Sequence, residues 1–357
     1  MSCRDKRVVV FILIFITFIN LGASIRAMWV APWDMTDEES VARIVNHARE
    51  WGITDLLVEV RYRGDAFYFP NRINGDFVNN EPRTYLLRNN PDFDALESFI
   101  RNARNTNVNI HAWVTVNVVT TRRRETIAAN HIYNLRPEWL TKHRSGRRIH
   151  HTQFEGAFVD PGVPAVQEHV INVFSDIVRN YDIHGLHIDY IRYPHPDYGH
   201  NPVSVERFNQ ARRESGIDSF QRWKELQIFE LVQRIGVSVK NINPNIVYTA
   251  AVFANINTAR NSFAQYWHEW LDSNVIDQLY IMAYQRSNRE FQNVITGIPE
   301  RFRSRIVVGI RAWCDDRTYS AQSITDKINL IPSTYAGVSF FSYGGIIRGN
   351  YQAAIRR

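Results

Sequence analysis

The chain has 357 residues, of which 45% are hydrophobic and 22% charged, a balance that supports a folded core and excludes wholesale disorder. The formal charge is +6, but the basic residues are scattered apart from Arg122-Arg123-Arg124 and the stretch Lys142 to His151; this argues against nucleic acid and suits an anionic polymer such as a cell-wall glycan. The cysteines are Cys3 and Cys314, which excludes a disulfide framework.

The first predicted element is a targeting segment. Arg4, Lys6 and Arg7 precede the run Val8 to Ile19, apolar except for Thr17, and Gly22, Ala23 and Ser24 follow. A positive region, a short apolar run and small residues are the parts of a secretory signal, expected over residues 1–25 with cleavage between Ala23 and Met28. The run is short for a membrane span of about 20 residues; an uncleaved N-terminal anchor is the alternative. The protein is therefore expected to be exported: secreted, periplasmic or at the cell surface.

From residue 26 to 357 strand-like and helical patterns alternate. Met28–Trp33 reads as a strand and Asp37–Trp51 as a helix capped by Thr36 or Asp37. Strand Asp55–Arg61, helix Phe93–Asn105 and strand Val108–Val116 follow. A long polar connection, Thr120–Pro161, leads to helix Val163–Tyr181 and strand Gly185–Tyr190. Helical sequence at Phe208–Ile242, strand Val247–Phe253, a helix at Ala264–Asp272 and strands Ile276–Tyr284, Arg305–Ile310 and Gly337–Ser342 complete the series. Eight strands alternating with helices predict a single-domain α/β fold, the (β/α)8 TIM barrel. An open doubly wound sheet lacks support because no Gly-rich phosphate loop follows the first strand. No cofactor signature is present, and the spacing of His150, His151 and His195 fits no metal-ligand motif.

Polar and aromatic residues collect where these strands end: Glu59, Arg61, Arg63 and Asp65; His111, Trp113 and Asn117; His187, Asp189, Arg192 and Tyr193; Tyr284; Trp313, Asp315 and Asp316. Period-two spacing places Glu59, Arg61 and Arg63 on one side of their strand, His111 and Trp113 on one side of theirs, and His187 and Asp189 likewise. Barrel enzymes work at the C-terminal ends of their strands. The segment Gly185-Leu186-His187-Ile188-Asp189-Tyr190-Ile191-Arg192-Tyr193-Pro194 delivers a carboxylate there, followed by an Arg and aromatics. Glycoside cleavage needs one carboxyl to protonate the leaving oxygen and a second to act on the anomeric carbon or on water. Asp189 is read as the general acid, with Asp65, Asp160 or Glu59 as second carboxylate. The bland alternative is a structural Asp paired with Arg192 or Arg61, and for His111 a satisfied buried histidine. Trp113 and Trp313 are expected to line the cleft and stack on sugar faces.

The sequence resembles the glycosyl-hydrolase-like family 10 barrels, which are similar to divisome-associated enzymes acting on peptidoglycan glycan strands. The matching segments are 58–68 (VEVRYRGDAFY), 90–96 (NPDFDAL), 111–117 (HAWVTVN), 159–162 (VDPG), the Asp189 segment and 340–343 (FFSY). The resemblance implies an active face containing Arg61, Asp65, His111, Asn117, Asp160 and Asp189. Two departures stand out. Tyr190 occupies the place where many members carry a second acid, and Ala254 the place of a Gly. In chitinase-type barrels a Glu precedes Tyr-Pro as the acid; Arg192 holds that place here, which argues against substrate-assisted chitinase chemistry. The expected function is hydrolysis of a polysaccharide or glycan strand. The alternative is a non-catalytic glycan-binding barrel that keeps the cleft without the chemistry.

Overall fold

The computed structural model describes residues 24–314 and 319–356; most of the segment expected to act in targeting, and Asp315-Asp316, lie outside them. Nine strands form one sheet: β1 (Ile25–Val30), β2 (Asp55–Tyr62), β3 (Asp65–Ala66), β4 (Asn109–Thr115), β5 (Gly185–Asp189), β6 (Val247–Phe253), β7 (Gln278–Ala283), β8 (Ile306–Arg311) and β9 (Gly337–Phe341). β1 pairs in parallel with both β2 and β9, so eight parallel strands close into a barrel, while β3 folds back antiparallel on β2. The fold is the (β/α)8 barrel that alternation of the elements predicts.

Side chains alternate across the barrel wall. Outward residues such as Leu186, Ile188, Val308 and Ile310 pack under the helices in the main core. Inward residues Ala27, Trp29, Leu57, Trp113, Ala251, Tyr280 and Val307 fill the interior. Trp29 stands at its centre, edge-on to Trp113 at 4.9 Å, His187 at 4.6 Å and Tyr280 at 6.1 Å between ring centroids.

The element boundaries shift in ways the sequence explains. The first strand begins at Ile25 and ends before Pro32, which starts a 3-10 turn over Pro32–Asp34, since proline cannot continue a paired strand. The predicted helix Phe208–Ile242 is two helices, Pro202–Ser215 and Phe220–Ile242. They part at Gly216, whose φ of 66° ends the first helix in the left-handed conformation that glycine accepts without cost. The long connection after β4 has a small core of its own, with Val118, Leu140, Phe158 and Val159 at its centre. It is tied to the end of β5 by Val116 N donating to Asp189 O at 2.8 Å and Asn117 N donating to Tyr190 O at 3.3 Å. Among the described residues no helix is long and apolar enough to cross a membrane.

Candidate active site

Asp189 ends β5 with its carboxyl facing the barrel mouth. It is 8% exposed. Its Oδ1 accepts from Tyr190 N at 2.6 Å and its Oδ2 from Trp113 Nε1 at 3.2 Å. The chain turns sharply at the next residue: Tyr190 has a φ of 53°, a left-handed conformation rare for a bulky residue and one that clusters at functional sites. Burial raises the Asp189 carboxyl to about 6, against the opposing pull of the Tyr190 amide, Arg192, Trp113 and Arg63.

The second carboxyl at the mouth is Glu59 on β2. Glu59 pairs in register with Trp113, and Trp113 with His187. The tilt of an eight-stranded barrel advances the level by about one residue per strand, so alternate strands share a layer. Two strands away, Glu59 therefore comes level with Asp189 rather than with His187. Burial holds Glu59 well above the usual carboxylate range; Arg63 opposes this and the nearby Asp189 charge reinforces it. No donor among the described residues reaches the Glu59 carboxyl.

The charge of Arg63 acts on both acids. Arg63 adopts a φ of 58°, its amide donates to Thr115 Oγ1 at 2.8 Å, and its guanidinium bonds the Glu155 carbonyl. Its guanidinium lies 5.2 Å from the Tyr62 ring centre and 5.5 Å from that of Tyr190. Arg192 sits at 4.6 Å over Tyr190 and 5.0 Å over Phe253, and donates to Glu155 Oε1 at 3.2 Å.

Several expected site residues lie elsewhere, each for a physical reason. A register shift between Glu59 and Arg61 breaks the period-two rule and turns Arg61 outward. There it is fully buried, donating to Glu81 Oε2 at 2.7 Å and to the Thr115 carbonyl, with its guanidinium over the Phe174 ring. Asp160 is enclosed, accepting from Ser204 Oγ at 2.8 Å, Gly162 N at 3.0 Å, Thr141 Oγ1 at 3.1 Å and Asn201 N at 3.3 Å. It is engaged on both oxygens and knits the loop after β4 to the loop after β5. Tyr193 is buried beside it, its hydroxyl donating to Asp160 Oδ1 at 3.5 Å. Asn117 is buried and donates to Arg192 O at 3.1 Å. His111 belongs to the opposite end of the barrel, its Nε2 2.9 Å from Asp55 Oδ1. His187 lies in the barrel interior, its Nδ1 2.8 Å from Thr249 Oγ1 and its basicity suppressed by burial. Asp65 faces a groove beside the mouth, 3.8 Å from His131 Nε2; burial and the Glu81 charge raise its carboxyl well above the usual range.

Aromatic rings surround the mouth. Trp113 forms its floor. Tyr284 stands 5.2 Å from Trp313 and 5.6 Å from Phe341 between ring centres, and burial with the Asp189 charge raises its hydroxyl well above the ordinary value. Trp33, absent from the sequence-based candidates, is 55% exposed and borders two grooves. One, about 590 Å³, is lined by Tyr62, Arg63, Asp65, Tyr85, Arg122 and Arg123 among others; the other, about 400 Å³, by Trp313, Phe341 and Arg348 among others. Trp33 and Tyr190 were missed because a turn after the strand presents each of them, where strand periodicity gives no direction; Arg63, expected on the same side of its strand as Arg61, likewise lies on a turn. Among the described residues no cluster of three or more His, Cys, Asp or Glu is arranged to hold a metal.

The chain is similar to several known proteins. Glycosyl hydrolase YngK of Bacillus subtilis (strain 168) is 21% identical over 243 residues, 64% of this chain and 45% of that protein. Glycosyl hydrolase DigH of Escherichia coli (strain K12) is 24% identical over 213 residues, 57% of this chain and 45% of that protein. The chain thus spans less than half the length of these curated relatives. The PgaB (BpsB) glycoside hydrolase domain from Bordetella bronchiseptica has the same fold, with a TM-score of 0.66 at 12% identity over 93% of this chain and 98% of that one. The model of the family described as glycosyl hydrolase-like 10 matches residues 24–305. That match spans β1 to β7 and both mouth carboxyls, and the chain belongs to the glycosyl hydrolase-like 10 family.

Proposed function

We propose that the protein is a glycoside hydrolase in which Asp189 and Glu59 divide the chemistry. The observation that supports this most directly is the pair of buried carboxyls at one level of the barrel mouth, flanking Trp113, with Arg63 beside both. Their environments separate their roles, the pattern by which acid and base are told apart. Asp189 receives two N–H donors, which favour its charged form, and serves as nucleophile or base. Glu59 has burial without a donor, keeps its proton, and serves as general acid towards the leaving oxygen. This reverses the motif-based expectation for Asp189 and selects Glu59 over Asp65 and Asp160 as the second carboxyl. Trp33, Tyr284 and Trp313 supply faces on which sugar rings stack. The substrate in this reading is a polysaccharide, in the first instance a cell-wall glycan strand, met outside the cytoplasm by a chain exported or anchored through its N-terminal segment.

The test is the initial rate on purified glycan strands, with and without peptide stems, and on an aryl glycoside with a good leaving group. Asp189→Asn should lose at least about 10²-fold on both kinds of substrate. Glu59→Gln should lose as much on the glycan and far less on the aryl glycoside, which needs no proton. Binding of glycan by the wild type without turnover on any substrate would instead establish the non-catalytic glycan-binding barrel.

A further inference from the structure

The net charge is not spread over the molecule. Residues 116–163, the connection after β4, hold eight Lys or Arg and four Asp or Glu, a net of +4. The rest of the chain from Met28 onward holds 30 and 31, a net of −1. The basic excess of the barrel therefore sits on one loop, and that loop stands at the C-terminal end of the strands, hydrogen-bonded to the end of β5. Two of its cations, Arg122 and Arg123, are exposed and line the 590 Å³ groove with Arg63. Neither has a carboxylate within ion-pair distance among the described residues.

The groove's own carboxyls do not neutralise them. Glu155 is engaged by Arg192 at 3.2 Å. Asp65 is buried against His131 at 3.8 Å, and burial with the Glu81 charge favours its uncharged form. Arg63 keeps a buried Nε without a hydrogen-bond partner. Trp33 and Tyr85, 55% and 40% exposed, line the groove wall, with the Arg88 guanidinium over one face of the Tyr85 ring at 4.2 Å. A concave surface with guanidinium forks and exposed aromatic side chains matches the chemistry of a sugar ring that carries an anionic substituent. Arg63 lines the groove and its charge acts on both Glu59 and Asp189, so the groove adjoins the two mouth carboxyls.

We propose that this groove is a subsite for an anionic saccharide, with Arg122 and Arg123 receiving a carboxylate or sulfate ester and Trp33 or Tyr85 taking the sugar face. The proposal rests on the hydrolase reading for its place in the reaction but makes a separate claim about binding. The experiment measures affinity by titration calorimetry on the full chain carrying Asp189→Asn, which should slow turnover at least about 10²-fold. The probes are a tetrasaccharide of alternating N-acetylglucosamine and N-acetylmuramic acid without peptide, the same compound with its carboxylates converted to methyl amides, a chondroitin sulfate tetrasaccharide and its desulfated form. At low salt one anionic probe should bind about tenfold more tightly than its neutralised form, the scale of one or two charge-assisted contacts. Whichever of the two does so identifies carboxylate or sulfate as the group recognised. The advantage should vanish in Arg122→Gln/Arg123→Gln, with an unchanged melting temperature, and should shrink as salt screens it. Equal affinity for charged and neutralised forms, a preference that survives the double substitution, or binding of neither anionic probe would overturn the subsite. Turnover of neutral and anionic glycans at equal rates would uphold the hydrolase without the subsite. Selective anion binding with no turnover by the wild type would uphold the subsite without the hydrolase.

Discussion

Single residues at the mouth carry opposed demands of stability and chemistry. A buried Asp189 held near 6 must be ionised to act as base or nucleophile, so activity should rise with pH through about 6 and fall again where Glu59 loses its proton. The pH profile of kcat/KM reads this directly, and Glu59→Gln should remove the alkaline limb on an aryl glycoside. The same shift has a consequence for folding. Its folded value lies above the unfolded one, so the native state binds the proton more tightly and stability falls as pH rises through the window between about 4 and about 6. At pH 7 the penalty is at most roughly 2–3 kcal/mol. Asp189→Asn removes it, and should therefore melt a few degrees higher than the wild type at pH 7 while losing activity. An Asn variant that unfolds would instead make Asp189 a structural partner.

Strand and loop elements decide which of the charged residues reach the mouth. The bulge in β2 sends Arg61 outward to Glu81 and leaves Arg63, on the following turn, to face the acids. Arg61→Met should cost roughly 3–5 kcal/mol, because it strands the buried Glu81 carboxylate with His169 as its remaining partner. Arg61→Met combined with Glu81→Gln should recover much of that loss in a melting curve, which a catalytic role for Arg61 would not predict. The position of β1 constrains the N-terminus in the same way. Ile25 to Met28 hydrogen-bonds to β9, and Ala27 to Val30 to β2. If the N-terminal segment is the cleaved signal the sequence predicts, its removal should therefore leave Ile25 in place, a narrower window than the sequence implies. N-terminal sequencing of exported protein checks this, and a chain beginning at Met28 should be markedly less stable.

At the scale of the whole molecule the barrel sorts its aromatics into core and rim. Trp113 is enclosed, wedged against Trp29 and donating to Asp189, so Trp113→Ala should cost about 3–5 kcal/mol as well as activity. The expectation that Trp113 acts chiefly in binding gives way to a double role as floor and hydrogen-bond donor. Trp33 is mostly exposed between two grooves. Trp33→Ala should weaken glycan binding with little change in melting temperature. A large fall in stability with unchanged affinity would place Trp33 in the packing rather than on the sugar path.

Alternation of strand and helix patterns determined the (β/α)8 barrel, because a parallel strand must be followed by a crossover and eight such units close. The Asp189 segment was legible for the same reason: a strand of alternating outward Leu186 and Ile188 with inward His187 and Asp189 states its own direction. The sequence alone did not show that Arg61 and Arg63 lie on opposite sides of the barrel wall: one extra residue in β2 turns Arg61 outward, and the left-handed turn at Arg63, past the end of the strand, brings its guanidinium back towards the mouth. Nor did it separate Glu59 from Asp65 and Asp160. All three are acids near strand ends or on loops over the mouth, and only strand tilt and loop packing bring Glu59 level with Asp189, enclose Asp160 among four close donors and set Asp65 in the neighbouring groove. Periodicity fixes which way a side chain points within one strand; which side chains meet depends on register, shear and loop packing between strands, and these exist only once the barrel has closed.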